Sequence, residues 1–148
     1  MFTRTIQLIG EDGFRTLQEA RVIVFGVGGV GGWCAETLLR TGIGHLTLVD
    51  FDVVDTTNLN RQVVATKENV GQSKVREMQK RLLSISPEAD VQAVECQYNA
   101  ETADAFDLAQ YDIVVVKRLA ATGEHTMTVA IGAVFDKDIA VGAVVHLV

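Results

Sequence analysis

Apolar residues run along the chain in short blocks, set between stretches of helical period. "RVIVFG" (21–26) and "HLTLVDFD" (45–52) read as strands buried on both faces, and "YDIVVV" (111–116) reads the same way. "ADVQAVEC" (89–96) alternates like a strand near an edge, and "IAVGAVVHLV" (139–148) reads as a fifth strand. Helical period fills residues 30–41 and 72–85, then 101–109 and 124–135. In 72–85, Val75, Met78, Leu82 and Ile85 share one face, and Pro87 ends the helix. Residues 4–19 read as one or two short helices packed outside the sheet. Strands alternating with helices predict an α/β fold: a Rossmann-like, mainly parallel sheet with helices on both faces.

A length of 148 residues suits one domain, 1–148, with residues 1–20 as its N-terminal helical segment. The apolar end at "AVGAVVHLV" leads us to expect a C-terminally truncated domain or a last strand that pairs elsewhere. No apolar run reaches the roughly 18–20 residues that a membrane helix needs. Cys34 and Cys96 are not in a CxxC pair, and with no export signal the expected home is the cytoplasm. A net charge of −6 argues against a dedicated nucleic-acid coat.

"VFGVGGVGGWCAETLL" places Gly26, Gly28 and Gly31 in a GxGxxG pattern directly after a strand and opening a helix. Such glycines let the chain turn tightly and let a phosphate approach the backbone at a helix N-terminus. Asp50 ends the next strand 19 residues after Gly31, where a carboxylate can accept ribose hydroxyls. A glycine turn used only for helix–sheet packing gives the same letters, and both NAD and ATP suit the motif. "LVDFDVVDTTNLNRQVV" (48–64) then follows the strand with carboxylates, amides and a guanidinium. An NAD domain has no need of these. A triphosphate does: Asp52 and nearby amides can help hold a magnesium-bound polyphosphate, Arg61 can fork onto its oxygens, and Lys74 adds a point charge.

"GVGGVGG", "LVDFDVVDTTNLNRQ" and "NVGQSKVREMQKRL" together resemble the ATP-binding module of the ubiquitin-activating superfamily, the ThiF/MoeB/HesA-type adenylating enzymes, over residues 4–116. "RTGIGHLTLVDFD", "ATKENVGQSK" and Trp33 in "GGVGGWCAE" are most similar to the tRNA threonylcarbamoyladenosine dehydratases within it. The resemblance implies ATP and Mg2+, adenylation of a carboxylate, and cyclisation of the threonylcarbamoyl group on adenosine 37 of tRNA. By position it implies that Gly26, Gly28, Gly29 and Gly31 line the phosphate loop, that Asp50 holds the ribose, and that Asn58, Arg61, Gln62 and Lys74 surround the phosphates. Arg4 matches an arginine that reaches the partner subunit's nucleotide, which implies a homodimer; Arg61, Lys74 and Arg4 would be the catalytic cations.

The family also places an aspartate-bearing turn after the fourth strand to bind magnesium. Here "DIVVVKRLAATGEHT" puts Val116 and Leu119 at those positions, with no carboxylate before Glu124, so no protein metal ligand is assigned. Three other readings stay open. They are adenylation of a sulfur-carrier protein's C-terminal glycine, an NAD-dependent oxidoreductase, and a truncated nucleotide-binding module without catalysis. Among the remaining residues, Asp55 reads as a turn or cap and Cys34 as core. Lys74, Arg76, Lys80 and Arg81 form a basic patch that either meets tRNA phosphate or faces solvent.

Overall fold

The computed structural model describes residues 1–119 and 125–131, with side chains through Val116. Helix α1 (Thr3–Glu19) leads into β1 (Arg21–Phe25), then α2 (Gly31–Thr41), β2 (His45–Val49), α3 (Lys74–Ile85) and β3 (Asp90–Val94). The chain closes, within the described residues, with β4 (Ile113–Leu119) and β5 (His125–Ile131). The sheet order is β3-β2-β1-β4-β5, parallel throughout except for β5, which is antiparallel to β4. The predicted Rossmann-like α/β sheet is therefore observed.

The central strand shows why the apolar block is continuous. Val22 and Val24 of β1 face a core built with α2 and α3, where Ala35, Leu39, Val75, Met78 and Leu82 are buried. Ile23 and Phe25 face the opposite side, against Val49 and Val114. With both faces covered, no polar position survives in the strand after the exposed Arg21 at its start. Each such side chain, fully buried, stabilises the fold by roughly 1.5–3 kcal/mol. Helix α3 buries Val75, Met78 and Leu82 of its predicted stripe, leaves Ile85 half-buried, and terminates before Pro87. The opening segment is two helical pieces joined at a kink at Gly10 (φ 76°), as expected for one or two short helices.

Three sequence-based expectations are corrected. Residues 101–109 form no α-helix: they hold short 3-10 turns at Ala103–Ala105 and Leu108–Gln110. Phe106 and Leu108 from this segment cover the second face of the sheet, so among the described residues turns rather than a helix lie there. Of the helix expected over 124–135, the described residues His125–Ile131 form instead the strand β5, hydrogen-bonded to β4 from Ile113↔Ile131 to Leu119↔His125. A chain rich in β-branched residues there follows the sheet edge rather than its own weak helical period. The fourth strand, read over 111–116, instead spans Ile113–Leu119. The expected strand 139–148 lies outside the described residues.

Candidate functional site

Parallel strands end on one side of the sheet, and there the backbone leaves β1, β2 and β3 around a cleft of about 660 Å³. In an open α/β sheet, this carboxyl end of the strands is where ligands bind. Its floor is the glycine loop, and the glycines have separable reasons to be glycine. Gly26 has φ 87°, a left-handed conformation that relieves the turn out of β1. A Cβ on Gly31 would stand 1.8 Å from the Gly26 carbonyl oxygen, so only glycine lets α2 start this close to the strand. A Cβ on Gly28 would meet nothing nearer than Gln62 Nε2 at 3.7 Å, and one on Gly29 nothing nearer than Arg61 Cγ at 3.8 Å. The protein itself has room for side chains at Gly28 and Gly29. Both line the cleft, so what a side chain would obstruct there is a ligand approaching the backbone.

Asp50 lies just past β2 and is buried. Its Oδ2 accepts the Val27 N–H of the glycine loop at 2.8 Å, and its Oδ1 accepts the Asp52 N–H at 2.9 Å. Asp52 Oδ2 in turn takes the Lys74 ammonium at 2.9 Å. A bridge between Val53 and Ser73 brings α3 to this point, with the Lys74 N–H donating to the Asp52 carbonyl. Lys74, expected on sequence alone as a helix cation, is thus buried in the cleft wall.

Arg61 reaches the cleft from a loop that it helps to fold. Its Nη1 donates to the Thr57 carbonyl and to Asn60 Oδ1, while Trp33 Nε1 donates to the Arg61 carbonyl at 3.4 Å. Gln62 is buried beside Gly28, and its Oε1 has no hydrogen-bond partner among the described residues. An unpaired buried amide oxygen typically costs about 1–3 kcal/mol, a cost usually tolerated where a site needs the group. Asn58 does not line the cleft. It is buried one turn away, where its Oδ1 accepts the Asp55 N–H in a capping box. Asp55, read as a cap, accepts the Thr57 N–H and hydroxyl, bonds that hold its carboxyl below the usual range. Arg4 is exposed on the first turn of α1 and lines no part of this cleft.

The structure adds wall residues that the motifs did not point to. Cys96, Gln97 and Tyr98 follow β3 and line the cleft, as do Phe51 and Val116. Tyr98 lies against Phe25, with ring centroids 4.1 Å apart. The rule that ligands sit beyond strand carboxyl ends was the signal that could have found them. Cys34 packs against the core as expected, and burial pushes its thiol pKa up. The basic patch on α3 is largely neutralised in place: Arg76 pairs with Glu95, Lys80 with Glu77, and Arg81 with Glu36. A solvated helix face describes it better than a phosphate-binding surface.

The donor set suits a nucleotide polyphosphate: an open glycine backbone, a helix N-terminus, and two cations on separate elements. For a divalent cation the cleft offers Asp52, whose side chain is 48% exposed, since both Asp50 oxygens are taken by backbone N–H groups. One carboxylate is enough where phosphates and water complete the coordination.

Comparison with known proteins agrees with this geometry. The chain is 47% identical over 105 residues to a tRNA threonylcarbamoyladenosine dehydratase of Bacillus subtilis (strain 168), covering 71% of this chain and 41% of that protein. It is 37% identical over 107 residues to a sulfur carrier protein adenylyltransferase of Thermus thermophilus, covering 72% of this chain and 39% of that one. Among solved structures, E. coli tRNA N6-threonylcarbamoyladenosine dehydratase in complex with ATP superposes with a TM-score of 0.74 at 40% identity, covering 76% of this chain and 46% of that chain. The chain therefore spans less than half the length of these relatives. The ThiF family pattern itself matches residues 2–117, and the chain belongs to the ThiF family.

Proposed function

We propose that this chain is the ATP-binding portion of an enzyme that adenylates a carboxylate, and that the carboxylate belongs to threonylcarbamoyladenosine at position 37 of tRNA. The observation that carries the reading is the pairing of a backbone open at Gly28 with Arg61 and Lys74 around one cleft. ATP is a co-substrate in this reaction. The substrate carboxylate oxygen attacks the α-phosphorus and pyrophosphate leaves; a nucleophilic atom of the carbamoyl group then attacks the activated carboxyl carbon, AMP departs with the former carboxylate oxygen, and the nucleophile's proton is lost to water. The cations Arg61 and Lys74 offset charge that develops on the phosphate oxygens, the kind of electrostatic term that usually dominates such catalysis. Asp50, each of whose oxygens keeps a second lone pair beside the backbone N–H it accepts, takes a hydrogen bond from the ribose, and Gln62 stands beside the loop glycines. Magnesium, supplied with the nucleotide, would screen phosphate charge next to Asp52.

The dehydratase named among the relatives, and the solved complex of one with ATP, support this substrate choice. We further propose a homodimer, in which Arg4 serves the partner subunit's cleft, and a cytoplasmic location. No described helix is long and apolar enough to cross a membrane.

Titration with ATP beside NAD tests the nucleotide, and release of AMP with threonylcarbamoyl-modified tRNA tests the substrate. Binding of NAD in place of ATP would overturn the proposal. AMP release with a carrier protein instead of tRNA would favour the sulfur-carrier reading, which the T. thermophilus relative supports. A nucleotide-binding module without catalysis is favoured by one observation. Strand β4 runs on through Leu119, where the family's carboxylate-bearing turn was expected.

A further inference from the structure

Lys74 is buried, with its side chain 7% exposed, while Asp52, its partner at 2.9 Å, is 48% exposed. Their contact is the last link in a continuous chain. The Val27 N–H binds Asp50 Oδ2, Asp50 Oδ1 binds the Asp52 N–H, and Asp52 Oδ2 binds the Lys74 ammonium. The glycine loop, the end of β2 and the start of α3 are thereby tied to one another. A buried ammonium needs a counter-charge, because its desolvation is otherwise uncompensated. Without nucleotide, Asp52 supplies it. Yet Asp52 and Lys74 both line the cleft in which a polyphosphate would lie, so carboxylate and phosphate compete for one cation.

We infer that Asp52 is an exchangeable counter-ion: on nucleotide binding Lys74 passes from Asp52 to a phosphate oxygen, and the released carboxylate is neutralised by the divalent cation accompanying the polyphosphate. The unequal exposure identifies the partner that moves, since Asp52 can turn toward solvent and Lys74 cannot. The cleft thereby prefers a cation-loaded nucleotide to a bare one, and Asp52 is a positioning and selectivity residue. This inference rests on the reading of the cleft as a polyphosphate site.

The test is calorimetric titration of the chain with ATP, in magnesium and in EDTA, for wild type and Asp52→Asn. Asp52→Asn should bind ATP about tenfold more tightly than wild type in EDTA, and its preference for magnesium should fall about tenfold. Either an unchanged EDTA affinity or an undiminished magnesium preference overturns the inference. Asp55→Asn, which removes a neighbouring exposed cap carboxylate, should keep the wild-type preference. If Asp52→Asn does not fold, Lys74→Gln and the double variant Asp52→Asn/Lys74→Gln leave no unpaired ammonium. The single variant should then keep its magnesium preference and the double variant lose it; equal preferences overturn the inference. If wild type binds ATP under neither condition, the polyphosphate reading itself falls.

Discussion

Replacing Gly28 and Gly31 separately by alanine should separate ligand binding from folding. At Gly31 the new Cβ would lie 1.8 Å from the Gly26 oxygen and 2.9 Å from its carbonyl carbon. Both are backbone atoms, so relief requires moving α2 away from β1 by more than about an ångström, a forced overpacking that costs typically 1–3 kcal/mol and occasionally more. We expect about 3 kcal/mol of lost stability. At Gly28 the nearest neighbour to a Cβ is 3.7 Å away, an ordinary contact, and the backbone is not left-handed. Folding should be unharmed, or favoured by about 0.4–1 kcal/mol, because alanine restricts the unfolded chain. The methyl group nevertheless occupies the space above the loop. Losing one close charge-assisted hydrogen bond to phosphate costs about 1.5–3 kcal/mol, roughly a tenfold to hundredfold loss of ATP affinity. Urea denaturation gives the stabilities and calorimetric titration the affinities. A stable Gly28→Ala variant that binds ATP as wild type does would refute the placement of phosphate on this loop.

Arg61→Ala should weaken ATP binding by about 1.5–3 kcal/mol, the scale of a charge-assisted hydrogen bond; an unchanged dissociation constant removes Arg61 from the site. Buried Glu36 joins Arg40 on its own helix to Arg81 on α3; burial pushes its pKa up, but hydrogen bonds from Arg81 and Arg40 outweigh this and hold it below the usual carboxylate range. Its folded pKa is thus below the unfolded one, so its stabilisation is complete above about pH 4.3 and is lost as pH falls through the folded value. Denaturation should show Glu36→Gln less stable by about 1.5–3 kcal/mol at neutral pH, with the gap to wild type closing below that point. Cys96 lines the cleft whereas burial raises the Cys34 pKa, so a thiol reagent should modify Cys96 first and ATP should protect it. Faster labelling of Cys34, or no protection by ATP, would contradict the assigned walls.

Alternation of β1, α2, β2, α3, β3 and β4 was legible because each element carries its own period, and because a two-sided buried strand leaves no polar position to confuse it. The segment 101–109 misled because its apolar residues serve no helix stripe: Phe106 and Leu108 cover the second face of the sheet. The strand at His125–Ile131 depends on antiparallel pairing with the preceding strand β4, an inter-strand contact that the period of the segment alone cannot report.

Within the site, the residue types and their spacing alone announced a nucleotide. The glycines, Asp50, Arg61, Gln62 and Lys74 stand in short motifs whose chemistry does not depend on the rest of the chain. Their division of labour is a matter of tertiary distance. Identical glycine letters conceal a left-handed turn at Gly26, a backbone clash averted at Gly31 and open space at Gly28. Asn58 sits in the same motif as Arg61 but spends its side chain on a cap, and Lys74 meets Asp52 across 22 positions of sequence. Sequence by itself determined the order of elements as far as β3 and pointed to a nucleotide, because periodicity and residue chemistry are local. Which groups line the cleft, and which are already held by one another, only the tertiary structure decided, because burial and hydrogen-bond partnership are set by contacts between separate segments.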